Sequence, residues 1–512
     1  MQREVEPRAR HWADEVAQTV AGRPGMAVVS SGISPSGQIH VGNMREVLTA
    51  DAVYRALRDL GKDARFHFVA DSFDPLRKVY PFLDPARYES MVGRPLSDIP
   101  CPCGAHESYA EHFLEPFLAA LGRLGVEVEI VRADRLYRSG RMTDRIVEAL
   151  RGRDACAAIL RDLTGKDVGS EWSPFTVLCP ACGTMHRTRV LGYCAADCTI
   201  DYACACGSAG TVPMAGGGKL TWRVDWPARW KELGVTVEPF GKDHATRGGS
   251  YDTGVRIVRE VFGAEPPFPV PYEWISLKGQ GDMSSSKGNV VSTAEMVEVV
   301  PPDVLRYVVL RERPSRAIAF DPGLPLLQVA DEVDAASATG RDPRALELSR
   351  AGAFAPVGVP LRHLVVVAQA ARFDPERVVE ILHRTGYPDA SRDAIAERLE
   401  YARRWLARFA PEDIRFEVAE TLPAAIEGLT TQQRAFLGRL AGALDGGLDD
   451  AGVHERIYSV AGEFPGVPPK SLFEAVYLAL LGKPRGPRAG SFIRILGIEA
   501  CARRFRDAAG GS

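Results

Sequence analysis

The sequence predicts an α/β fold in which a parallel sheet is interrupted by a cysteine-rich insertion and followed by an all-helical carboxy-terminal region. Three observations predict it: strand–helix–strand spacing near the amino terminus, cysteines clustered in the middle of the chain, and apolar residues at helical spacing in the last third. With 512 residues, the chain is long enough for about two to four domains. Hydrophobic residues make up 46% and charged residues 25% of it, which is typical of a soluble globular protein.

The amino-terminal segment predicts a helix and no targeting sequence. Residues 3–20 are charged and amphipathic, without the apolar core of a signal peptide, and no apolar run of the chain approaches about 18 residues. We therefore expect a cytoplasmic protein that does not enter a membrane. The net charge of −3 means that a nucleic-acid partner would have to bind a local basic surface.

A strand, a glycine-bearing loop and a helix are predicted between Met26 and about Leu60. The apolar run Met26–Ser30 contains β-branched residues and predicts a buried strand, and the helix begins near His40. Backbone N–H groups and the helix dipole at such a helix start bind phosphate, and His40 and Asn43 can donate hydrogen bonds to it. The candidate phosphate-binding residues are Pro35, Ser36, Gly37, His40, Gly42 and Asn43.

A second strand, Ala64–Ala70, completes a strand–helix–strand unit, so we expect a parallel sheet. Ligands of such sheets bind beyond the carboxyl ends of the strands, where the loops 31–43 and 71–78 both lie. A third strand is predicted over Val235–Pro239. Residues 241–244 follow it and are therefore expected at the same edge of the sheet.

The cysteines predict a metal site. Ten cysteines without a signal peptide argue against a disulfide framework and for thiolate metal ligands. Two cysteine knuckles separated by 21 residues have the spacing of a four-thiolate zinc ribbon. The candidate ligands of this structural zinc ion are Cys179, Cys182, Cys204 and Cys206. Cys194 and Cys198 lie between the knuckles and could replace one of them.

A second candidate metal site precedes the ribbon in the chain. Its candidate ligands are Cys101, Cys103, His106 and His112. Cysteine and histidine are the ligands that zinc prefers, and free thiols in a loop are the alternative. The insertion that carries both sites also predicts helices over Tyr109–Leu124 and Thr143–Leu163.

Two motifs and three further segments resemble the class I lysyl-tRNA synthetases. PSGQIHVGN (residues 35–43) resembles the first class I signature in its H-x-G-N form, and MSSSKGN (residues 283–289) resembles the second, about 240 residues later. GKDH (241–244), WRVDWPARW (222–230) and YEWISLKG (272–279) are most similar to the same family, and the resemblance extends to about Asp321. It implies a Rossmann-like catalytic domain that activates lysine with ATP and Mg²⁺. It also implies transfer of the lysyl group to the 3′ terminal adenosine of tRNA-Lys.

The resemblance assigns chemical roles to both motifs. It implies that His40, Asn43 and Lys287 are catalytic, because negative charge builds up on phosphate oxygens in the transition state and needs positioned donors. The implied ATP-binding residues are those of the candidate phosphate site together with Met283, Ser284, Ser285, Ser286 and Lys287. The second motif departs from the usual pattern, with Asp282 and Ser285 at positions that lysines usually hold. Lys287 is the candidate cation, and Lys278 is its alternative.

The resemblance also implies an amino-acid pocket. The implied substrate-binding residues are Gly32, Ser34, Asp71, Trp222, His244 and Tyr272. A compact ammonium group prefers a carboxylate or an aromatic face. Asp71 and Asp74 both follow the second strand and either can pair with the lysine ammonium, because the spacing does not choose between them.

The carboxy-terminal region is predicted to be all-helical and to bind RNA. Apolar residues recur at helical spacing over Asp393–Phe409 and Gln432–Leu444, and the resemblance implies a helical-cage anticodon-binding domain. From Lys470 to Asp507, eight basic residues stand against three acidic ones, which favours binding of tRNA phosphates. The predicted domains are 1–80 with 220–300 (catalytic), 81–219 (zinc-binding insertion), 301–345 (stem-contact connector) and 346–512 (helical, anticodon-binding).

Two other functions are compatible with the sequence. The chain could be a class I enzyme of another specificity, or a small-molecule nucleotidylyltransferase, although the latter has no need of a long basic helical domain. It could also be a synthetase-like protein without productive aminoacylation, acting in regulation or biosynthesis. Asp282 and Ala105, which depart from the family's motifs, keep that alternative open. No obligate protein partner is expected.

Overall fold

The computed structural model describes residues 11–283, 290–352 and 358–510, and the chain divides into two compact units. The first, the sheet unit, takes its described residues from Met1–Val297, Pro302–Phe320 and Asp342–Phe354. The second, the helical unit, takes them from Glu298–Pro301, Asp321–Arg341 and Ala355–Ser512. Of the helices that the structure describes, none is both long and apolar enough to cross a membrane.

The strands belong to four small or medium-sized sheets. In chain order they are β1 (Ala27–Ile33), β2 (Ala64–Ala70), β3 (Glu129–Arg132), β4 (Phe175–Val177), β5 (Thr188–Cys194), β6 (Thr199–Cys204), β7 (Ala209–Pro213), β8 (Gly218–Leu220), β9 (Val237–Gly241), β10 (Phe268–Tyr272), β11 (Ile275–Leu277), β12 (Gly281–Asp282) and β13 (Ile318–Phe320).

The α-helices occur in both units. In chain order they are α1 (Trp12–Ala21), α2 (Val41–Asp59), α3 (Pro85–Tyr88), α4 (Tyr109–Arg123), α5 (Ala133–Arg138), α6 (Thr143–Arg151), α7 (Arg153–Thr164), α8 (Trp222–Leu233), α9 (Ser250–Glu260), α10 (Thr293–Val299), α11 (Pro302–Leu310), α12 (Leu324–Thr339), α13 (Pro343–Leu348), α14 (Leu361–Ala370), α15 (Pro375–Arg384), α16 (Arg392–Arg408), α17 (Thr431–Ala443), α18 (Asp450–Gly462), α19 (Pro469–Leu481), α20 (Ala489–Leu496) and α21 (Ile498–Ala509).

A five-stranded sheet of order β10-β9-β1-β2-β3 forms the centre of the sheet unit, and every neighbouring pair in it is parallel. β1 and β2 pair from Ala27 opposite Ala64 to Ile33 opposite Ala70. The predicted strands and their parallel arrangement are confirmed, with the third strand beginning at Val237. The carboxyl ends of β1, β2, β9 and β10 therefore lie at one edge, where parallel sheets bind ligands.

The turn from β1 into α2 depends on small residues. A Cβ atom at Gly32 would lie 2.9 Å from the Val69 carbonyl oxygen, so only glycine fits beside β2 at this point. α2 begins with a reciprocal cap. The His40 side chain accepts a hydrogen bond from a backbone N–H of the first helical turn, and the Asn43 side chain accepts the His40 backbone N–H. The predicted helix is confirmed, with Asp59 as its last residue.

The insertion differs from the sequence prediction at one place. A single helix was expected over Thr143–Leu163, but two helices, α6 and α7, meet at Gly152. The Gly152 backbone leaves the helical region with ψ of 15°, and a Cβ atom there would lie 2.6 Å from Val261 Cγ1. Close packing against the segment after α9 therefore selects glycine and ends α6. The ribbon strands β5, β6 and β7 form an antiparallel sheet of their own.

The helical unit confirms the prediction of an all-helical carboxy-terminal region in its described residues. α16 and α17 match the two predicted helices to within one residue at each end. The apolar positions of α16 face the interior, and Trp405 is fully buried with its indole N–H donating to the Pro322 carbonyl oxygen over 2.8 Å. α17 starts at a capping box formed by Thr430 and Gln433.

Candidate active site and metal clusters

A cleft opens at the carboxyl edge of the parallel sheet, between α2, α8 and the ends of β1, β2 and β9. It measures roughly 500 Å³ with its open mouth included. Its lining residues are Ser30, Gly32, Glu46, Val69, Asp71, Trp222, Trp226, Arg229, Trp230, Leu233, Val235, Glu238, Pro239, Phe240 and His244. The set combines aromatic walls with three carboxylates, which suits a ligand with an apolar stem and a cationic end.

Glu46 of α2 supplies a carboxylate that the sequence prediction missed. Its Oε1 accepts the Gly32 backbone N–H over 2.8 Å, and its Oε2 accepts the Tyr272 hydroxyl over 2.7 Å. Within the described residues, neither a lysine nor an arginine pairs with it. Burial raises the pKa of the Glu46 carboxyl to about 8, although both hydrogen bonds oppose that shift. A cation bound beside Glu46 would favour the charged form of this acid.

Glu238 of β9 is a second buried carboxylate at the cleft, and it was also missed. Its Oε2 accepts the Trp230 indole N–H. Burial raises the pKa of Glu238 to about 7, with hydrogen bonds from Trp226 and Trp230 lowering it again. Neither acid forms an ion pair with a lysine or an arginine of the described residues, and a bound cation would favour the charged form of both.

Asp71 and Asp74, the two predicted ammonium partners, already have cationic partners in the fold. Arg229 Nη1 lies 2.7 Å from Asp71 Oδ1, and Lys219 Nζ lies 2.5 Å from Asp74 Oδ1. Ser34 donates its hydroxyl to Asp74 over 2.6 Å. Asp71 lines the cleft as predicted, but Arg229 neutralises it.

Asp225 joins the two ion pairs into one buried network. Its Oδ2 lies 3.3 Å from Lys219 Nζ and 3.4 Å from Arg229 Nη2, and its Oδ1 accepts the Tyr137 hydroxyl over 2.6 Å. Burial alone would lower the pKa of Lys219, but the carboxylates of Asp74 and Asp225 raise it above its ordinary value. Lys219 is therefore a permanent cation that fixes the loop after β2 and, through Asp74, Ser34.

Trp222 and His244 form an aromatic wall of the cleft, in agreement with the pocket implied by the sequence. The Trp222 ring is stacked on Trp226 at 5.3 Å, and its indole N–H donates to the Ser250 hydroxyl over 3.3 Å. The His244 ring lies 5.5 Å from Trp226 and 6.1 Å from Trp222. Such a wall can cover the methylene stem of a long substrate side chain.

The candidate phosphate site has a defined histidine tautomer. His40 Nδ1 accepts the Gly42 backbone N–H over 3.1 Å, so Nε2 carries the ring proton. Burial lowers the pKa of His40 to about 4, so His40 is a neutral donor at physiological pH. Asn43 uses its Oδ1 to accept the His40 backbone N–H over 3.2 Å, and its amide N–H₂ is left as a donor. The Tyr109 hydroxyl donates to the Ser36 carbonyl oxygen over 2.7 Å and supports the loop.

The second signature lies largely outside the described residues, but its two flanks are described. Ser284, Ser285, Ser286 and Lys287 belong to the stretch 284–289, which the structure does not describe. Met283 lies against the first signature, with its Cε 3.7 Å from the Cβ position at Gly42. On the other flank, the Val41 backbone N–H donates to the Val291 carbonyl oxygen over 3.0 Å. Both flanks of the second signature are therefore attached to the start of α2.

The four ribbon cysteines converge in space. The ligand atoms of Cys179, Cys182, Cys204 and Cys206 all lie within 4.8 Å of one another. Cys179 Sγ lies 3.7 Å from Cys206 Sγ, and Cys182 Sγ lies 3.7 Å from Cys204 Sγ. Tetrahedral zinc with Zn–S bonds of about 2.3 Å separates its sulfurs by roughly this distance, so the donor set fits the ion. Cys194 and Cys198, the alternative ligands, do not belong to this cluster.

The second predicted set of ligands also converges. Cys101, Cys103, His106 and His112 bring their ligand atoms within 4.8 Å of one another. Both histidines present Nδ1, at 3.3 Å from Cys103 Sγ in each case. Two sulfurs and two imidazole nitrogens at such distances fit tetrahedral zinc. All four candidate ligands of the second site therefore come together in the fold.

The comparisons with known proteins agree with this geometry. Residues 10–347 match the family described as tRNA synthetases class I (K), and the chain belongs to that family. A lysine–tRNA ligase 1 of Methanosarcina acetivorans is 49% identical, with 97% of this chain and 98% of the relative covered. A lysine–tRNA ligase of Archaeoglobus fulgidus is 47% identical over 97% of this chain and 100% of the relative. A lysine–tRNA ligase of Thermoplasma acidophilum is 40% identical over 97% and 98%.

Proposed function

We propose that this protein is a lysine–tRNA ligase, which activates lysine with ATP and transfers the lysyl group to the 3′ terminal adenosine of tRNA-Lys. The observation that carries the proposal is Glu46, a partly buried acid of the aromatic cleft at the sheet edge that pairs with no lysine or arginine of the described residues. The full-length similarity to lysine–tRNA ligases supports it. The same similarity does not favour the alternative of a synthetase-like protein without productive aminoacylation.

The lysine ammonium group binds at Glu46 in this proposal. The Glu46 carboxylate supplies the charge and the Tyr272 hydroxyl beside it supplies a hydrogen-bond acceptor, while Trp222 and His244 cover the methylene stem. Asp71 is a weaker candidate because Arg229 pairs with it at 2.7 Å. A shorter or uncharged side chain leaves Glu46 without a partner, and that penalty excludes it.

Activation joins the lysine carboxylate to ATP. A carboxylate oxygen forms a bond to the α-phosphorus, and the bond from that phosphorus to the oxygen that bridges the α- and β-phosphates breaks. Pyrophosphate leaves, and Mg²⁺ bound with the nucleotide would balance its charge. His40 donates from Nε2–H, Asn43 from its amide, and the start of α2 from backbone N–H groups. Lys287 is the proposed cation of the second signature, which joins the first through Met283 and Val291.

Transfer completes the reaction. A ribose hydroxyl of the terminal adenosine attacks the carbonyl carbon of the lysyl-adenylate and loses its proton to a base, while the bond from that carbon to the phosphate oxygen of the mixed anhydride breaks and AMP leaves with the electron pair. The basic carboxy-terminal segment would bind tRNA as part of the helical domain that the sequence predicts over 346–512. Charging tRNA for protein synthesis places the protein in the cytoplasm in this proposal.

Both metal clusters are proposed to hold structural zinc. The ribbon site would use Cys179, Cys182, Cys204 and Cys206, and the second site Cys101, Cys103, His106 and His112. All four positions of each site are taken by protein ligands, so neither ion would act on the substrate. Each would cross-link a segment of the insertion and so contribute to its folding free energy.

The test is ATP–pyrophosphate exchange with each of the twenty amino acids, followed by tRNA charging. Exchange with lysine alone, lost in His40→Ala and reduced in Glu46→Gln, is the expected result. Lys287→Ala and Lys278→Ala compare the two candidate cations: exchange that is lost in Lys287→Ala and kept in Lys278→Ala supports Lys287, and the reverse supports Lys278. Exchange with another amino acid would refute the specificity, and tRNA binding without any exchange would refute the catalytic assignment.

A further inference from the structure

One large aromatic ring of the sheet unit is exposed beside a rigid aromatic cluster. Phe82 leaves 45% of its surface open. Its ring is stacked on Tyr80 at 5.6 Å with an interplanar angle of 9°, and it meets the edge of Phe113 at 5.8 Å. Tyr80 and Phe113 thus contact the Phe82 ring from within the cluster, and nearly half of its surface stays open to solvent.

The cluster beneath Phe82 leads to the candidate phosphate loop. Tyr80 is buried in a core cluster that includes Tyr109. The Phe113 ring lies 5.0 Å from the Tyr109 ring, and the Tyr109 hydroxyl donates to the Ser36 carbonyl oxygen over 2.7 Å. Phe82 is therefore linked to the loop at Ser36 by two ring contacts and one hydrogen bond. A ring held in this way loses little further freedom on binding a ligand.

Two cations accompany the exposed ring. Arg77 and Lys78 are exposed, and no carboxylate of the described residues forms an ion pair with either side chain. Lys78 Nζ lies 5.9 Å from the centre of the Tyr80 ring. Both cations closely follow Asp71, which lines the cleft, and Asp74, which accepts a hydrogen bond from the Ser34 hydroxyl. The basic pair therefore belongs to the segment that joins the cleft to the aromatic cluster.

We propose that Tyr80, Phe82 and Phe113, with Arg77 and Lys78, form a stacking platform for single-stranded nucleotides at the 3′ end of the tRNA. The inference rests on the proposed function, since only a tRNA-charging enzyme must guide that end to the adenylate. An exposed ring beside unpaired cations matches a base stacked on an aromatic side chain with its phosphate held by positive charge. Duplex RNA keeps its base faces stacked and offers no such surface.

The decisive measurement compares intact tRNA with tRNA that lacks its 3′ terminal nucleotides. Wild-type protein binds the intact form more tightly, and Phe82→Ala removes most of that difference by weakening intact tRNA about 5- to 150-fold. Phe82→Tyr keeps a stacking ring and retains the preference, whereas Phe82→Leu keeps apolar surface without a ring and loses it. Leu60→Ala is the matched control, because Leu60 is 49% exposed in the same unit and lies outside the platform.

The cations have their own readout. Replacing both by glutamine, in Arg77→Gln with Lys78→Gln, reduces the slope of log affinity against log salt by about 1.4, at about 0.7 for each single-strand phosphate contact. The control replaces Arg161 and Lys166 by glutamine, since both are exposed and lie in the insertion, outside the platform. We expect this control to leave the preference for tRNA with intact 3′ nucleotides unchanged.

Three results would overturn the platform. One is equal weakening of intact and truncated tRNA by Phe82→Ala, which places Phe82 elsewhere on the RNA. Another is unchanged binding of both forms. The third is a change of oligomeric state in Phe82→Ala without a change in tRNA affinity, which makes the ring a protein contact. Failure of the proposed function is distinguishable, because the wild-type protein would then show no lysine-dependent exchange with any tRNA.

Discussion

The Tyr272 hydroxyl donates a hydrogen bond to Glu46 Oε2 over 2.7 Å, although 226 residues separate the two side chains. Glu46 lies on α2 and Tyr272 ends β10, so the contact joins the first signature helix to the far edge of the parallel sheet. It holds a buried carboxylate at a fixed place in the cleft. Burial of Tyr272 keeps the pKa of its hydroxyl well above the ordinary value, so the phenol stays a donor to Glu46.

Removing the Glu46 charge should weaken lysine binding. Glu46→Gln keeps an acceptor for the Gly32 N–H but leaves the ammonium group without a charge partner, at about 3–5 kcal/mol. We expect the KM for lysine to rise at least 100-fold, with a smaller rise in Tyr272→Phe. The measurement is lysine-dependent pyrophosphate exchange at saturating ATP. Asp71→Asn is the comparison, and a larger effect there than in Glu46→Gln would move the ammonium site to the Asp71–Arg229 pair.

Lysine binding should strengthen as the pH rises through the titration of Glu46. Its pKa is raised from 4.5 to about 8 in the folded protein, so the carboxyl is protonated below that value and gives no charge to the ammonium. We expect the KM for lysine to fall by up to about tenfold per pH unit as the pH approaches 8. A KM that does not change with pH between 6 and 8.5 would contradict this account. Measuring the same pH profile in Glu238→Gln removes the contribution of Glu238, whose pKa is raised to about 7.

The same shift predicts how the stability of the protein depends on pH. Because the folded-state pKa of Glu46 is raised, the folded state holds a proton that the unfolded state releases above about 4.5. The resulting stability is present below pH 4.5 and is lost as the pH rises to about 8. In urea unfolding without lysine, Glu46→Gln should therefore gain relative to wild type over this window. A mutant that follows the wild-type pH profile would rule the mechanism out.

The buried Lys219 should be essential to the fold of the sheet unit. Lys219→Met leaves Asp74 and Asp225 without their shared cation, at about 3–5 kcal/mol of unfolding free energy. Adding Asp74→Asn should recover part of that loss, as measured by urea unfolding in a double-mutant cycle. Arg189→Gln is the control: its pair with Glu171 is exposed on both sides, so at most about 1 kcal/mol is expected. Equal losses in both variants would show that burial does not matter here.

Metal analysis should find zinc in both clusters. We expect about two zinc ions per chain, one of which is lost in Cys204→Ser and the other in Cys103→Ser, each with a lower unfolding temperature. Cys194→Ser is the matched control, since Cys194 lies in the same ribbon outside the cluster. Freshly purified protein with less than one zinc per chain would remove the ribbon assignment, and retention of both ions by Cys204→Ser would point to other ligands.

Local patterns in the sequence predicted several of the secondary elements and both sets of candidate metal ligands. β2 was predicted at its observed ends, and the cysteine and histidine sets that the spacing indicated converge in the fold. Such predictions depend on periodicity and on short spacing, which act within a few residues. The single helix predicted over 143–163 was wrong because close packing against Val261 requires glycine at position 152. Val261 lies in a distant part of the chain, so no local pattern indicates this contact.

The charge partners were decided only by the tertiary structure. The sequence named Asp71 and Asp74 and left them open, but the fold pairs them with Arg229 and Lys219 from more than 140 residues away. Glu46, which no sequence pattern indicated, lies partly buried in the cleft and pairs with no lysine or arginine of the described residues. Sequence patterns indicated part of the polar set at the sheet edge, such as Asp71, but neither Glu46 nor Glu238. Which acid stays available for a ligand depends on burial and on long-range ion pairing, because the energy of a charge is set by its three-dimensional surroundings.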